Sequence, residues 1–235
     1  FMIARITSYS VLSLYFYFSV FFLTHDVSSL RVSMALAFYL IALYLINRRK
    51  FFLGVVAYGV TMLTHFQALI APMVQLVNII IGKRYWLAIF LMVISQLAVC
   101  SHLVPASLIM NLFISEDFRR LSSNNFYIDS SMLRLTCTNT LIIMLLSVTV
   151  FPLKRIVVQD KILGYCFSSV VVGYMFYWLF AGIPVYPDRI VQFFWVPLAI
   201  LVSLGKFHLP TFVVTILVGA MFFVLNTWNA PILFF

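Results

Sequence analysis

Residues 31–64 read RVSMALAFYLIALYLINRRKFFLGVVAYGVTMLT: two apolar runs joined by the polar turn Asn47-Arg48-Arg49-Lys50. Each run is long enough for several helical turns, and neither holds an internal charge. The rest of the chain repeats the pattern. Of its 235 residues 64% are hydrophobic and only 9% are charged, and mean hydropathy is +1.11. Helices apolar all round belong inside a large core or in a bilayer. A water-exposed domain of this composition would show apolar surface beyond a normal patch. The expected fold is therefore all-α, a polytopic transmembrane bundle. Nine apolar runs are read as spans, near 9–24, 32–46, 51–64, 67–81, 86–104, 133–151, 162–180, 190–204 and 209–227, with one larger loop at 105–132. The whole chain, 1–235, is expected to form a single transmembrane domain.

The basic residues orient such a bundle. One set of loops carries Arg48, Arg49, Lys50, Lys83, Arg84, Lys154, Arg155, Lys161 and Lys206. The opposite set carries Arg31, Arg119, Arg120, Arg134 and Arg189. The richer side is expected in the cytosol. Five of the six acids, Asp26, Glu116, Asp117, Asp129 and Asp188, then fall on the outer face. The net charge of +9 is absorbed by topology and by anionic headgroups, and no basic domain exists for nucleic acid. Cys100, Cys137 and Cys166 are widely spaced and read as small buried hydrophobes, with neither a metal site nor a disulfide framework. The inner loops lack a glycine-rich phosphate cradle, which argues against ATP binding there. No basic leader precedes the first run, and a start at Phe1 suggests a piece of a longer protein.

Chemistry is expected at the outer ends of the runs, where ionisable groups meet an apolar body. Arg31 opens the second run; it either snorkels to headgroups or grips a phosphate in bidentate fashion. His65, in Thr64-His65-Phe66-Gln67, is either a packed neutral imidazole or a general base or donor to a sugar or pyrophosphate. Asp188 and Arg189 follow Pro187; they either neutralise each other or present Arg189 to an anion, with Tyr186 beside it for a sugar ring. Glu116 and Arg120 are spaced for an i, i+4 pair, and with Asp117 and Tyr127 they form either a solvated face or a substrate lid.

The order of these features resembles the EpsG-type family of polysaccharide polymerases, which includes O-antigen polymerases of the Wzy kind. The resemblance runs through Asp26, Arg31-Val32-Ser33-Met34-Ala35-Leu36-Ala37, the basic turn Asn47–Lys50 and His65-Phe66-Gln67-Ala68-Leu69. It returns at Tyr186-Pro187-Asp188-Arg189-Ile190. It covers about 10–80 and 180–200; the family usually has Ser where this chain has Gln67, and its members carry further N-terminal spans. The resemblance implies a multi-pass protein of the bacterial inner membrane that polymerises undecaprenyl-pyrophosphate-linked oligosaccharide repeat units on the periplasmic side. It implies Arg31 and Arg189 on the pyrophosphate, His65 or Asp26 as the catalytic group, and Glu116, Asp117, Arg120, Tyr127, Tyr186 and Asp188 along the glycan. It implies no cofactor and no metal; the partners are the lipid-linked glycan, the bilayer and a membrane-bound chain-length regulator. Other readings stay open: another polyprenyl-phosphate-sugar glycosyltransferase, a lipid-linked oligosaccharide flippase or transporter, or a membrane acyltransferase.

Overall fold

The polar turn 47–50 ends one helix and begins the next. In a computed structural model of the chain, helix α2 spans Leu30–Asn47 and helix α3 spans Phe51–Thr64. Between them Arg49 adopts a left-handed conformation, with φ 61°. The Arg49 amide donates to the Ile46 carbonyl at 3.0 Å, and the Lys50 amide donates to the Leu45 carbonyl at 2.9 Å. This is the Schellman arrangement, which satisfies the last carbonyls of a helix and usually puts glycine at the left-handed position. Arg48, Arg49 and Lys50 also sit at the negative end of the α2 dipole. The helices approach closely because Gly54 has no side chain: a Cβ there would lie 2.6 Å from Ile46 Cγ1. An antiparallel hairpin results. It brings Arg31, in the first turn of α2, and His65, just past α3, to the same end.

The structure describes residue 7 and residues 9–22, 30–65, 68, 71–81, 84–100, 152–179, 193–194 and 196–229. Helix α1, Ser10–Tyr17, runs into a π-helical turn over Phe18–Phe22. After the hairpin come α4, Ala71–Ile81, and α5, Tyr85–Cys100. Further on, α6 covers Lys154–Gln159 and α7 covers Lys161–Leu179. A short α8, Leu198–Leu201, continues as a 3-10 helix over Val202–Phe207, and α9 spans Leu209–Asn229.

Helix α7 is the central element. The Asp160 carboxylate accepts the Ile162 amide at 2.8 Å and so caps its start. Its Cys166, Phe167, Val170, Val171 and Tyr174 are all buried, with α2, α4, α5 and α8 packed around it. Ser168 donates its hydroxyl to Asn78 Oδ1 at 3.0 Å, tying α7 to α4. On the far flank, α9 packs on α1 and on the 3-10 helix, and the Tyr15 hydroxyl donates to the Ile216 carbonyl at 3.0 Å.

The helical character expected from composition is present, but the nine-span transmembrane bundle is not. Among the described residues no helix is long and apolar enough to cross a membrane. In α3, α4 and α5 the shortfall is length. A hydrocarbon core of about 30 Å needs roughly 20 apolar residues, whereas α3 has 14 residues, α4 has 11 and α5 has 16. At about 1.5 Å per residue these reach only about 17–24 Å. The run read as 190–204 is broken further, into the four residues of α8 and the six of the 3-10 helix. The run at 133–151 and the loop at 105–132 lie outside the described residues.

The outer faces are nevertheless strongly apolar. Phe52, Val55, Val56 and Leu63 on α3 are exposed, as are Leu76, Ile79 and Ile80 on α4 and Trp86, Phe90 and Leu97 on α5. Exposed apolar side chains in this number call for an apolar neighbour.

Candidate functional site

His65 owes its position to the way α3 stops. The Thr64 hydroxyl donates back to the carbonyls of Val60 at 3.0 Å and Thr61 at 2.9 Å, competing with continued helix. His65 turns to an extended conformation, φ −150° and ψ 112°, while its amide still donates to the Thr61 carbonyl at 2.9 Å. The Ala68 amide donates to the His65 carbonyl at 3.0 Å, and the Tyr58 hydroxyl, about two turns back on α3, donates to the Ala68 carbonyl. The backbone on both sides of the imidazole is thus held by hydrogen bonds.

The half-buried ring lies 5.9 Å from the ring of Phe193, tilted by 35°. Phe193 in turn packs on Tyr39 of α2 at 5.1 Å and on Phe194 at 5.1 Å. Ser169 of α7 donates its hydroxyl to the Phe194 carbonyl at 3.1 Å, anchoring that segment. Tyr39 is buried, with its hydroxyl beside that of Ser169. Burial pushes the phenol well above its ordinary pKa, so it stays neutral. Arg31, Ala35 and Tyr39 follow one another at i, i+4 and i+8 on one face of α2. Arg31 is exposed and lies about 12 Å along the helix axis from Tyr39.

No protein-family model, curated protein or solved structure matches this chain.

Of the residues singled out in the sequence, Arg31 and His65 fall among those described, and the hairpin brings them to one end. Asp26, Glu116, Asp117, Arg120, Tyr127, Tyr186, Asp188 and Arg189 lie outside the described residues. Among the described residues no three His, Cys, Asp or Glu side chains gather as a metal site. Two residues that sequence reading passes over shape the site: His65 rests on Phe193, and Tyr39 packs on Phe193 in turn. Tyr39 carries a weak signal in its i+8 spacing from Arg31. The contact between Phe193 and His65 spans 128 positions of chain, and no local pattern announces it. The geometry offers an exposed cation at one end of the hairpin and an imidazole packed against Phe193. An imidazole of this kind can accept a proton from a hydroxyl or donate a hydrogen bond, and the guanidinium can bind an anionic oxygen pair.

Proposed function

We propose that this chain is a glycosyltransferase that polymerises undecaprenyl-pyrophosphate-linked oligosaccharide repeat units at the outer face of a bacterial inner membrane. The observation that carries the reading is the shared end of the α2–α3 hairpin, where Arg31 and His65 come from different helices, with three cations at the opposite end. In the proposed reaction an acceptor sugar hydroxyl attacks the anomeric carbon of the growing glycan. The new glycosidic bond forms as the bond from that carbon to the pyrophosphate breaks. The lipid pyrophosphate leaves with the electron pair, and the hydroxyl proton passes to His65 or Asp26. Negative charge grows on the leaving oxygens, so a preorganised guanidinium lowers the barrier. Arg31 is the first such group and Arg189, four residues before Phe193 in the chain, is the second. Glu116, Asp117, Arg120, Tyr127, Tyr186 and Asp188 are the proposed glycan contacts. The apolar faces of α3, α4 and α5 support contact with lipid, which the reading requires; it does not require nine crossings.

The test is complementation of O-antigen laddering in a bacterium lacking its own polymerase but making the matching repeat unit. The parent chain is expected to restore a ladder, and Arg31→Ala and His65→Ala are expected to leave single repeat units at equal protein levels. Addition of single sugars from a polyprenyl phosphate, in place of a ladder, would replace polymerisation with a simpler transfer.

A further inference from the structure

A cavity of about 210 Å³ lies between α2, α3, α4 and α7. Its floor is built from the buried residues Tyr39, Ala42, Ala71 and Val74. Its mouth is marked by the exposed Val55, Pro72 and Gln75, between α3 and α4. The lining extends along α2 from Tyr39 to Ile46, seven residues or about 10 Å of helix. The Ile46 end is the charged end. There the chain folds back through the left-handed Arg49, whose amide bonds to Ile46 itself. Arg48, Arg49 and Lys50 are all exposed. None is held in an ion pair among the described residues, and Arg48 lies over the Tyr44 ring at 5.5 Å. An apolar slot therefore opens sideways onto an apolar face and ends near three exposed cations.

We propose that this slot holds one acyl chain of an anionic phospholipid, with the headgroup phosphate on Arg48, Arg49 and Lys50 and the chain running past Ile46 toward Tyr39. Size, entry and charge agree on that occupant. A cavity of about 150 Å³ accepts benzene, so this one holds roughly eight carbon atoms, part of an acyl chain and far less than a whole lipid. Its mouth lies beside Phe52, Val56 and Leu76, all exposed, so the chain can enter from a lipid layer without crossing water. The cations make the site prefer an anionic headgroup to a zwitterionic one. Its headgroup end lies at the opposite end of the hairpin from Arg31 and His65, while its inner end reaches Tyr39, which packs on Phe193. It rests on the lipid contact proposed above and is independent of glycosyl transfer.

The experiment reconstitutes the full chain in nanodiscs of equal phosphatidylglycerol and phosphatidylcholine, then extracts it in mild detergent and counts retained lipids by native mass spectrometry. The parent is expected to keep one phosphatidylglycerol. Val55→Trp, an exposed position at the mouth, blocks entry and is expected to lose it. The pair Arg48→Gln and Lys50→Gln is expected to weaken retention roughly thirtyfold, from about fivefold per cation removed. Equal retention of phosphatidylcholine, or Val55→Trp retention equal to the parent, would overturn the proposal. So would a site that takes up laurate but no phosphatidylglycerol. Retention as expected from a chain that polymerises nothing would leave this site standing and remove the polymerase reading instead.

Discussion

The His65 imidazole rests against the Phe193 ring at 5.9 Å, joining the end of α3 to a segment more than a hundred residues away. Phe193 is fully buried and also touches Tyr39, so it sets both the place and the tilt of the imidazole. Phe193→Leu keeps an apolar filler and costs about 1–2 kcal/mol, less than the roughly 3–5 kcal/mol of truncation to Ala. It removes the flat wall behind His65. Turnover of lipid-linked repeat units is expected to fall roughly tenfold through kcat, because a misplaced base loses reactivity before binding. Steady-state kinetics beside a denaturation curve will separate the two effects.

Arg49 occupies a left-handed position that costs an L side chain about 1 kcal/mol or more. Arg49→Gly is expected to stabilise the protein by about 1 kcal/mol while keeping the Schellman bonds of the turn. Chemical denaturation of the two proteins in the same detergent measures this directly.

Two glycines on α3 are expected to respond with opposite signs. A Cβ at Gly59 meets nothing within 4 Å, so Gly59→Ala gains helix propensity and stabilises by about 1 kcal/mol. A Cβ at Gly54 would meet Ile46 Cγ1 at 2.6 Å and the Ile46 amide nitrogen at 3.3 Å. The backbone of α2 cannot yield, so overpacking by about 1–3 kcal/mol outweighs the same propensity gain. Thermal unfolding of the two variants will show a rise for one and a fall for the other.

The Tyr39 hydroxyl is buried beside Ser169, whose own hydroxyl donates to the Phe194 carbonyl, and a poorly satisfied buried polar group costs about 1–3 kcal/mol. Tyr39→Phe retains the ring contact with Phe193 and removes that penalty. The variant is expected to be as stable as the parent or about 1 kcal/mol more stable, as read by chemical denaturation.

Local features were the legible part of the sequence. The basic turn 47–50 separates two helices, and the apolar run at 51–64 forms a helix over those same residues. The size of the bundle was misread because hydropathy reports what a residue avoids, not how far the backbone stays helical. The run from Ile190 to Leu204 is apolar, yet α8 starts only after Pro197 and gives way to a 3-10 helix at Val202, and α4 begins at Ala71, after the turn that holds His65 and Ala68. At the candidate site, Arg31 and His65 stood out because ionisable groups are scarce. Tyr39 and Phe193 did not, since an aromatic in an apolar run looks the same whether it supports a site or fills a core.

The most direct test of the account is a double-mutant cycle on Arg31 and His65, measured as the rate at which purified chain in nanodiscs extends undecaprenyl-pyrophosphate-linked repeat units. Each single alanine variant is expected to lose roughly a hundredfold or more. The double variant is expected to lose clearly less than the product of the two, because both groups act on one transition state. Full activity in either single variant with the fold intact would contradict the assignment of that residue, and strictly multiplicative losses would contradict a shared site.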